Sequence, residues 1–419
     1  MIIYLVIPDK VLLENKMKAF LRADGRKGIR NTVVIAYLVE CAHHVAKSIV
    51  NKIDHDDVQL IGFPGCYPND YSLQMMEKLC THPNVGGVVI VSLGCEGFNR
   101  EKLSQTIIDS GRPVETLIIQ KCGGTKSTID LGLDKASTIL ASITDVERVE
   151  LLTADLVIGT ICGGSDGTSG ISANPAVGVC FDILLKEDAT CIFEETGELI
   201  GCEHIMANRA ESPELGQALI TCVEKAEKYY TKMGYGSFAP GNAEGGLTTQ
   251  EEKSMGAYAK SGSSEINGII KPGDVPQKKG LYLMDVIPDG EPKFGFPNIS
   301  DNAEIVEMIA SGALMILFTT GRGSVVGSAI SPVIKICANP ETYQNLSEDM
   351  DVNAGSIIEG NSTIKDVGKD IFQQVLDIAS GAKSKSEALG HKEFILTYKT
   401  FETTGTSKSN DAIGPSCLR

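Results

Sequence analysis

The chain has 419 residues, of which 42% are hydrophobic, and a formal net charge of −16. This length predicts two or three domains with a sizeable core, and the composition excludes a disordered chain. The acidic balance argues against nucleic-acid binding, which needs a basic face. Twelve cysteines without a CxxC pair indicate a reducing compartment and argue against a zinc ribbon.

Apolar runs and helical patterns alternate along the first part of the chain. The start, residues 1–13, is typical of a first strand rather than of a signal peptide. We expect strands at 32–41, 58–63, 86–93, 114–119 and 155–161, with helices at 42–53, 69–80, 99–110 and 126–142. Strands that alternate with helices in this way predict an α/β fold, with Rossmann-like βαβ units and parallel sheets.

Glycine-rich loops become frequent after residue 146, where we place the main domain boundary. Further strands are expected at 189–195 and 313–318, and helices at 212–233, 247–260 and 365–380. The predicted organisation is an α/β domain at 1–146, a C-terminal α/β catalytic domain at 147–401 and a polar tail at 402–419.

Cysteines stand at or near the ends of the predicted strands, at positions 41, 66, 95, 122 and 162. Because the functional crevice of a parallel sheet lies outside the carboxyl ends of its strands, we expect these thiols near one rim. Cys66, Cys95 and Cys162 each adjoin glycine at the end of a predicted strand, and Glu96 follows Cys95. Thiolates with an imidazole suit iron or zinc, and three together could hold an iron–sulfur cluster. The alternative is that each cysteine is a small buried hydrophobe.

The stretch "EETGELIGCEHIMANRA" at 194–210 carries one histidine and several carboxylates. His204 is a candidate metal ligand and general base, and the carboxylates of Glu194, Glu195, Glu198 and Glu203 could supply hard ligands. The competing interpretation is a helix with a solvated acidic face.

The stretch "CGGSDGTSGISANPAVG" at 162–178 is rich in glycine and small polar residues. Such a loop presents backbone N–H groups and hydroxyls to an anion ahead of a helix. We therefore expect it to bind an anionic substrate through Gly163, Gly164, Ser165, Asp166 and Ser169.

Three basic stretches could meet a carboxylate substrate, although a surface charge is the simpler explanation for each. "RADGRKGIRN" at 22–31 contains Arg26 and Arg30, beside Arg22. Arg322 stands between two glycines in "TTGRGS", where its guanidinium could hold a carboxylate in a bidentate manner. Lys253 follows a Gly-Gly loop at a helix start and is a second candidate base.

Taken together, these stretches resemble the altronate/galactarate dehydratase family from about Arg22 to about Gly381. The matching strings occur in one order: "RADGRKGIRN", "PGC", "HPNVGGVVIVSLGCE", "CGGSDGTSGISANPAVG", "EHIMANRA", "PGN…GGLTTQEEKSMG", "SGSS", "FTTGRGSVVGSAISPVIKI" and "DVNAG".

The resemblance implies a cytoplasmic, iron-dependent hydro-lyase that converts a 2,3-dihydroxy sugar acid to a 2-keto-3-deoxy acid. The iron would be Fe²⁺, another divalent metal in its place, or an iron–sulfur cluster. A base would form the enediolate by removing the alpha proton, and a metal would stabilise it. The candidate catalytic residues are His204, Lys253, Arg322 and Glu96. The expected partners are the sugar acid and further copies of the chain, with no nucleic acid and no membrane.

Three departures separate the chain from this family. Family members carry a small N-terminal domain ahead of the "RADGR" string, which predicts a separate small subunit for this chain. Tyr67 stands where the family often has another glycine, and Ala243 replaces a lysine. A sulfolactate sulfo-lyase large subunit, which resembles the chain in lacking that domain, is the first alternative. The resemblance implies that this branch lacks the "LGCE" thiol, so Cys95 favours a sugar acid. A non-catalytic sugar-acid-binding protein is the second alternative.

Overall fold

The computed structural model describes residues 17–234, 240–291 and 299–401. The strand expected at 1–13 and the tail expected at 402–419 lie outside these described residues. Over the described part, the structure confirms the α/β class with parallel sheets. No helix among the described residues is long and apolar enough to cross a lipid bilayer.

A four-stranded parallel sheet forms the first layer, in the order β4-β3-β5-β6. Its strands are β3 Thr32–Tyr37, β4 Val58–Gly62, β5 Val85–Ser92 and β6 Val114–Ile118. The central strand β5 is buried along its whole length, as its apolar run predicts. The helices that follow these strands are α1 Glu40–Ile53, α2 Asp70–Cys80, α3 Arg100–Asp109 and α4 Thr125–Thr144.

A small antiparallel sheet joins the start of the described chain to the segment after α4. Its strands are β1 Lys18–Leu21, β2 Lys27–Gly28 and β7 Arg148–Glu150, in the order β2-β1-β7. The pairing of β1 with β7 brings the chain back beside its beginning before it enters the second large sheet.

A seven-stranded parallel sheet forms the second layer, in the order β10-β11-β9-β8-β12-β13-β14. Its strands are β8 Val157–Cys162, β9 Thr190–Phe193, β10 Ile266–Ile270, β11 Gly280–Met284, β12 Met315–Thr320, β13 Val333–Cys337 and β14 Val352–Asn353. The helices of this part are α5 Ala173–Lys186, α6 Glu203–Ala207, α7 Pro213–Met233, α8 Pro240–Glu244, α9 Gln250–Ala259, α10 Asp301–Ala310, α11 Pro340–Asn345, α12 Ile364–Ala379 and α13 Lys385–Leu389.

The two large sheets share a buried core and a buried polar triad. Side chains such as Met75 of α2 and Ile305 of α10 belong to one continuous hydrophobic cluster. The buried ammonium of Lys399 contacts Glu307, whose carboxylate also accepts a hydrogen bond of 2.5 Å from the hydroxyl of Tyr71. A buried charge is tolerated only when paired, so this triad fixes the C-terminal segment against α2.

The five cysteines expected at one rim are divided between elements and sheets. Cys66, Cys95 and Cys122 follow strands of the four-stranded sheet, whereas Cys162 ends β8 of the seven-stranded sheet. Cys41 lies in the first turn of α1, because β3 ends at Tyr37 and the helix begins at Glu40. The expectation of a single cysteine rim is therefore wrong, since regular strand-to-cysteine spacing does not say which sheet a strand joins.

Candidate active site

The candidate site forms where two neighbouring parallel strands end. β8 ends at the buried Cys162, and β9 pairs with it and ends at Phe193, just before Glu194 and Glu195. Because both strands run in the same direction, their carboxyl ends lie at one edge of the sheet. A thiol and a pair of carboxylates thus meet there.

Glu195 has a backbone conformation that is unusual for its residue type. Its φ is 78° and its ψ is 43°, in the left-handed region where a side chain costs energy. Its Oε1 accepts a 2.6 Å hydrogen bond from the backbone N–H of Cys162, and its Oε2 contacts Lys260. Backbone strain of this kind persists where surrounding contacts fix the residue, which is common at functional sites.

Helix α9 places two lysines on the same face opposite the turn that follows β9. Lys253 and Lys260 are seven residues apart, and Lys260 ends the helix. Glu195 and Glu198 are three residues apart, and Glu198 lies in a 3₁₀ turn. Lys253 pairs with Glu198 at 2.6 Å, and Lys260 pairs with Glu195. Two ion pairs therefore lie beside the Cys162 thiol.

Lys253 also contacts the sulfur of Cys162. Its Nζ lies 3.1 Å from the Sγ of Cys162 and 2.9 Å from the hydroxyl oxygen of Ser165. Burial by itself would raise the pKa of the Cys162 thiol, but the ammonium groups of Lys253 and Lys260 lower it to about 5. The site therefore holds a thiolate at neutral pH.

The same contacts raise the pKa of both partners of the thiolate, Lys253 and Glu198. Burial would lower the pKa of Lys253, but the negative charges of Cys162 and Glu198 raise it above its ordinary value. Burial, together with the adjacent sulfur, raises the pKa of Glu198 well above its usual range, although Lys253 opposes this. Lys253 is thus a cation, and Glu198 is an unusually basic carboxylate.

Asp166 fixes the shape of the glycine-rich loop after Cys162. Its Oδ1 accepts hydrogen bonds from Thr168 and from the hydroxyl of Ser169, and its Oδ2 accepts one of 2.8 Å from Asn339. Two of the predicted substrate-binding residues, Asp166 and Ser169, therefore serve the fold of the loop. Ser165, which donates toward Cys162 and meets Lys253, faces the site.

Arg322 lies beside this loop with an exposed side chain. A Cβ placed on Gly164 would lie 3.0 Å from the Cβ of Arg322, so the loop and the arginine are in close contact. The guanidinium lies 3.8 Å from Glu244, and 44% of the side chain is exposed. Arg322, one of the predicted carboxylate-binding residues, thus lies beside the glycine-rich loop at Gly164.

The predicted residues of the four-stranded sheet lie on a different rim. Cys66 and Cys95 are exposed, and their loops touch through a 2.8 Å hydrogen bond from the N–H of Gly97 to the carbonyl of Cys66. Glu96 turns back on its own loop, where it accepts hydrogen bonds from Ser92 and from the N–H of Gly94. The structure does not join these residues to the Cys162 cluster.

His204, Arg26 and Arg30 also lie apart from the cluster. His204 is exposed at the start of α6. Arg26 binds Asp24 and the carbonyl of Thr81, and Arg30 forms a bidentate pair with Glu387. The two arginines stabilise the fold in these contacts, so the geometry gives them no role at the Cys162 site.

Sequence reasoning missed Lys260 and did not commit to Glu195 or Glu198 as site residues. Both carboxylates stand in the acidic stretch that was singled out, at the end of a predicted strand. Lys260 directly precedes the "SGSS" string, seven residues after Lys253. The helical spacing of the two lysines was the available signal, because residues seven apart share a helix face.

The predicted iron ligands do not form one group. Among the described residues, one set of three potential metal-ligand atoms lies within 4.8 Å of one another. The set consists of the sulfur of Cys162 and one carboxylate oxygen each of Glu195 and Glu198. Lys253 and Lys260 already contact these acceptors. A divalent cation among the same atoms would lie beside two ammonium charges, so this arrangement does not fit iron.

Comparison with models of known protein families shows which family the chain belongs to. Residues 153–401 match the model of the C-terminal domain of D-galactarate/altronate dehydratases. Residues 19–144 match the second domain of D-galactarate dehydratase/altronate hydrolase. The chain belongs to the galactarate/altronate dehydratase family. The family predicted from the sequence is thus confirmed, whereas the predicted domain boundary at 146 stays a prediction.

Relatives of the chain include a sulfo-lyase as well as dehydratases. It is 32% identical over 402 residues to the (2R)-sulfolactate sulfo-lyase subunit beta of Chromohalobacter salexigens, covering 92% of this chain and 98% of that protein. It is 32% identical over 395 residues to the galactarate dehydratase (L-threo-forming) of Escherichia coli, covering 87% and 73%. The altronate dehydratase of Bacillus subtilis is 28% identical, with 91% and 78% covered.

These relatives are all lyases, and the predicted carbon–oxygen lyase class is confirmed at the level of the family. A purely non-catalytic role, the second alternative above, finds no support among them. The specific substrate and the mechanism are matters of proposal. The predicted cytoplasmic location, the homo-oligomer and the iron cofactor stay predictions.

Proposed function

We propose that the chain is a hydro-lyase that removes water from a 2,3-dihydroxy sugar acid of the galactarate or altronate type. The observation that carries this proposal is the buried cluster of Cys162, Lys253 and Glu198 beneath a loop of glycine and serine. It offers a fixed cation, a basic carboxylate and hydroxyl-binding groups within one site. The dehydratases among the relatives act on acids of this class by name.

Lys253 is the group that we assign to the negative charge of the reaction. Loss of the proton alpha to a carboxylate produces an enediolate, whose charge must be stabilised. The ammonium of Lys253, held by Cys162 and Glu198, stays protonated. It therefore donates hydrogen bonds to the carboxylate of the substrate and to the enediolate that forms from it. A protonated amine cannot accept a proton, and this argues against Lys253 as the base predicted from the sequence.

Glu198 is the base in this mechanism. A carboxylate with a raised pKa is a stronger proton acceptor than one in water, and Glu198 is half-buried beside the cation. It takes the proton from C2 and returns it to the hydroxyl on C3, which leaves as water. A C2–C3 double bond forms, and the resulting enol becomes the 2-keto acid when a proton moves from the C2 hydroxyl to C3.

Ser165 and Arg322 position the substrate. The hydroxyl of Ser165 lies 2.9 Å from Lys253, and it can bind a substrate hydroxyl next to the cation. The exposed guanidinium of Arg322, beside Gly164, can hold the distal end of a sugar acid. These contacts favour binding of a polyhydroxylated acid over binding of a small apolar substrate.

A screen of hexarates and hexonates for 2-keto-acid formation tests the proposal. It should be run under reducing conditions, with and without ferrous iron, since iron is expected from the resemblance alone. Turnover of at least one acid that is lost in Glu198→Gln supports the mechanism. Absence of turnover on every acid, with any small partner subunit present, would contradict it.

The second candidate function is elimination of sulfite from a sulfolactate. The aligned region covers 98% of the sulfo-lyase subunit beta and about three quarters of the dehydratases. That relative is named as one subunit of an enzyme, which supports a separate partner subunit for this chain. Release of sulfite from (2R)-sulfolactate without dehydration of sugar acids would favour this function, and co-purification with a small chain would support the partner.

A further inference from the structure

A polar cavity lies at the opposite end of the parallel strands from the Cys162 cluster. It has a volume of about 360 Å³, within the range of sites for small molecules. Asn31, which precedes β3, and Asp57, which precedes β4, line it together with Ser331, just before β13. It therefore opens at the amino ends of these strands. Cys162 lies at the carboxyl end of β8, which belongs to the same parallel sheet as β13.

The charges of this cavity favour an anion. Four cationic side chains line it against three carboxylates, namely Arg30, Arg148, Lys383 and Lys392 against Asp56, Asp57 and Glu387. Two of the carboxylates already have partners within the cavity. Arg30 binds Glu387 with two hydrogen bonds, and Lys383 lies 2.5 Å from Asp56. In a chain with a net charge of −16, a local surplus of cations is a distinct feature.

Two residues that line the cavity each carry a buried polar atom without a hydrogen-bond partner among the described residues. They are Arg148, at its donor Nε, and Gln59, at its acceptor Oε1, and Gln59 also borders a neighbouring cavity. The guanidinium of Arg148 is held over the ring of Phe20, 5.0 Å from its centre. Buried polar groups are nearly always hydrogen-bonded, so an unmet donor and an unmet acceptor in one cavity point to a ligand that satisfies both.

We propose that this cavity, formed around Arg148 and Gln59, binds a small hydroxylated organic anion, with its oxyanion on Arg148 and a hydroxyl on Gln59. Lys392, at the exposed rim, adds to the attraction for the anion. The site is separate from the Cys162 cluster and does not depend on the proposed function. Since Arg30, Lys383 and Glu387 join the two sheets here, a bound anion also stabilises the connection between them.

Calorimetric titration of the full chain with gluconate, and with acetate as the analogue that lacks hydroxyls, tests the site. We expect gluconate to bind more tightly than acetate, and Arg148→Gln to weaken the gluconate affinity about tenfold or more, as loss of a charged hydrogen bond does. Gln59→Met should reduce the difference in affinity between gluconate and acetate. Binding at this site should survive Arg322→Gln, which alters the Cys162 site.

Because the side chain of Lys392 is exposed, Lys392→Gln should fold as the wild type does, and it should weaken gluconate binding at low salt. The exposed Lys365→Gln on α12 is the matched control and should bind as the wild type does. Wild-type protein that does not bind gluconate, or equal affinities for wild type and Arg148→Gln, would overturn the proposal. Failure of the dehydratase assay alone would not affect it.

Discussion

The Nζ of Lys253 lies 3.1 Å from the Sγ of Cys162, and both groups are buried. Lys253 lies on helix α9 and Cys162 ends strand β8, and the two residues are ninety-one positions apart along the chain. The pair combines a thiolate with an ammonium, and it determines the charge state of the whole site.

Replacement of Lys253 by methionine should lower kcat by about 10²–10³, as loss of a preorganised donor to a developing oxyanion does. The assay is turnover of whichever acid the chain accepts. Lys365→Met removes an exposed lysine and should leave kcat unchanged. Near-normal turnover by a folded Lys253→Met variant would contradict the assignment.

The base assignment is tested by Glu198→Gln, which keeps the size of the side chain and removes its proton-accepting oxygen. We expect kcat to fall by about 10²–10⁴, the range for loss of general acid–base catalysis. His204→Gln, at the exposed base candidate predicted from the sequence, should have a small effect. The opposite ranking of the two variants would return His204 to the role of base.

The Cys162 thiolate should be visible in a pH titration. Its pKa is lowered from the ordinary value of 9.0 to about 5, so the thiolate should persist from pH 9 down to about pH 5. The difference in ultraviolet thiolate absorbance between wild type and Cys162→Ser measures this. The stability contributed by a lowered pKa is fully present above pH 9 and is lost as the pH falls through about 5. In Lys253→Met the absorbance step should move to higher pH.

The buried pair of Glu195 and Lys260 should behave as a unit. Either Glu195→Gln or Lys260→Met leaves a buried charge without its partner, and we expect a loss of about 3–5 kcal/mol in the free energy of unfolding. The double variant should lose less than the sum of the two. Denaturant unfolding of the four proteins measures the coupling, and additive losses would show that the pair is not coupled.

Close packing of α5 on α9 should control the position of both lysines. A Cβ on Gly178 of α5 would lie 2.2 Å from the carbonyl oxygen of Ala259 of α9. Gly178→Ala therefore has to displace α9, at a cost of about 1–3 kcal/mol, and should lower kcat more than it raises KM. The control is Gly241→Ala, where a Cβ would meet nothing within 4 Å. Unchanged kcat in Gly178→Ala would show that α9 tolerates the shift.

Much of the local architecture is predictable because periodicity and strand length are local properties. The runs at 58–63 and 86–93 form β4 and β5, and the helical pattern at 212–233 forms α7 almost to the residue. The run at 32–41 is shorter in the structure, since α1 begins at Glu40. The loop after Cys162 was recognised from its composition, although Asp166 turned out to shape the loop instead of facing the site.

The sequence by itself determined the alternation of strands and helices, the family, and the position of Cys162 at a strand end. Only the tertiary structure decided that Cys162 belongs to a different sheet from Cys66 and Cys95, and that its partners are Lys253 and Glu198. Strand order depends on long-range pairing, which the repeated strand-to-cysteine spacing does not encode. The charges of the site follow from that pairing, because burial and proximity set each pKa.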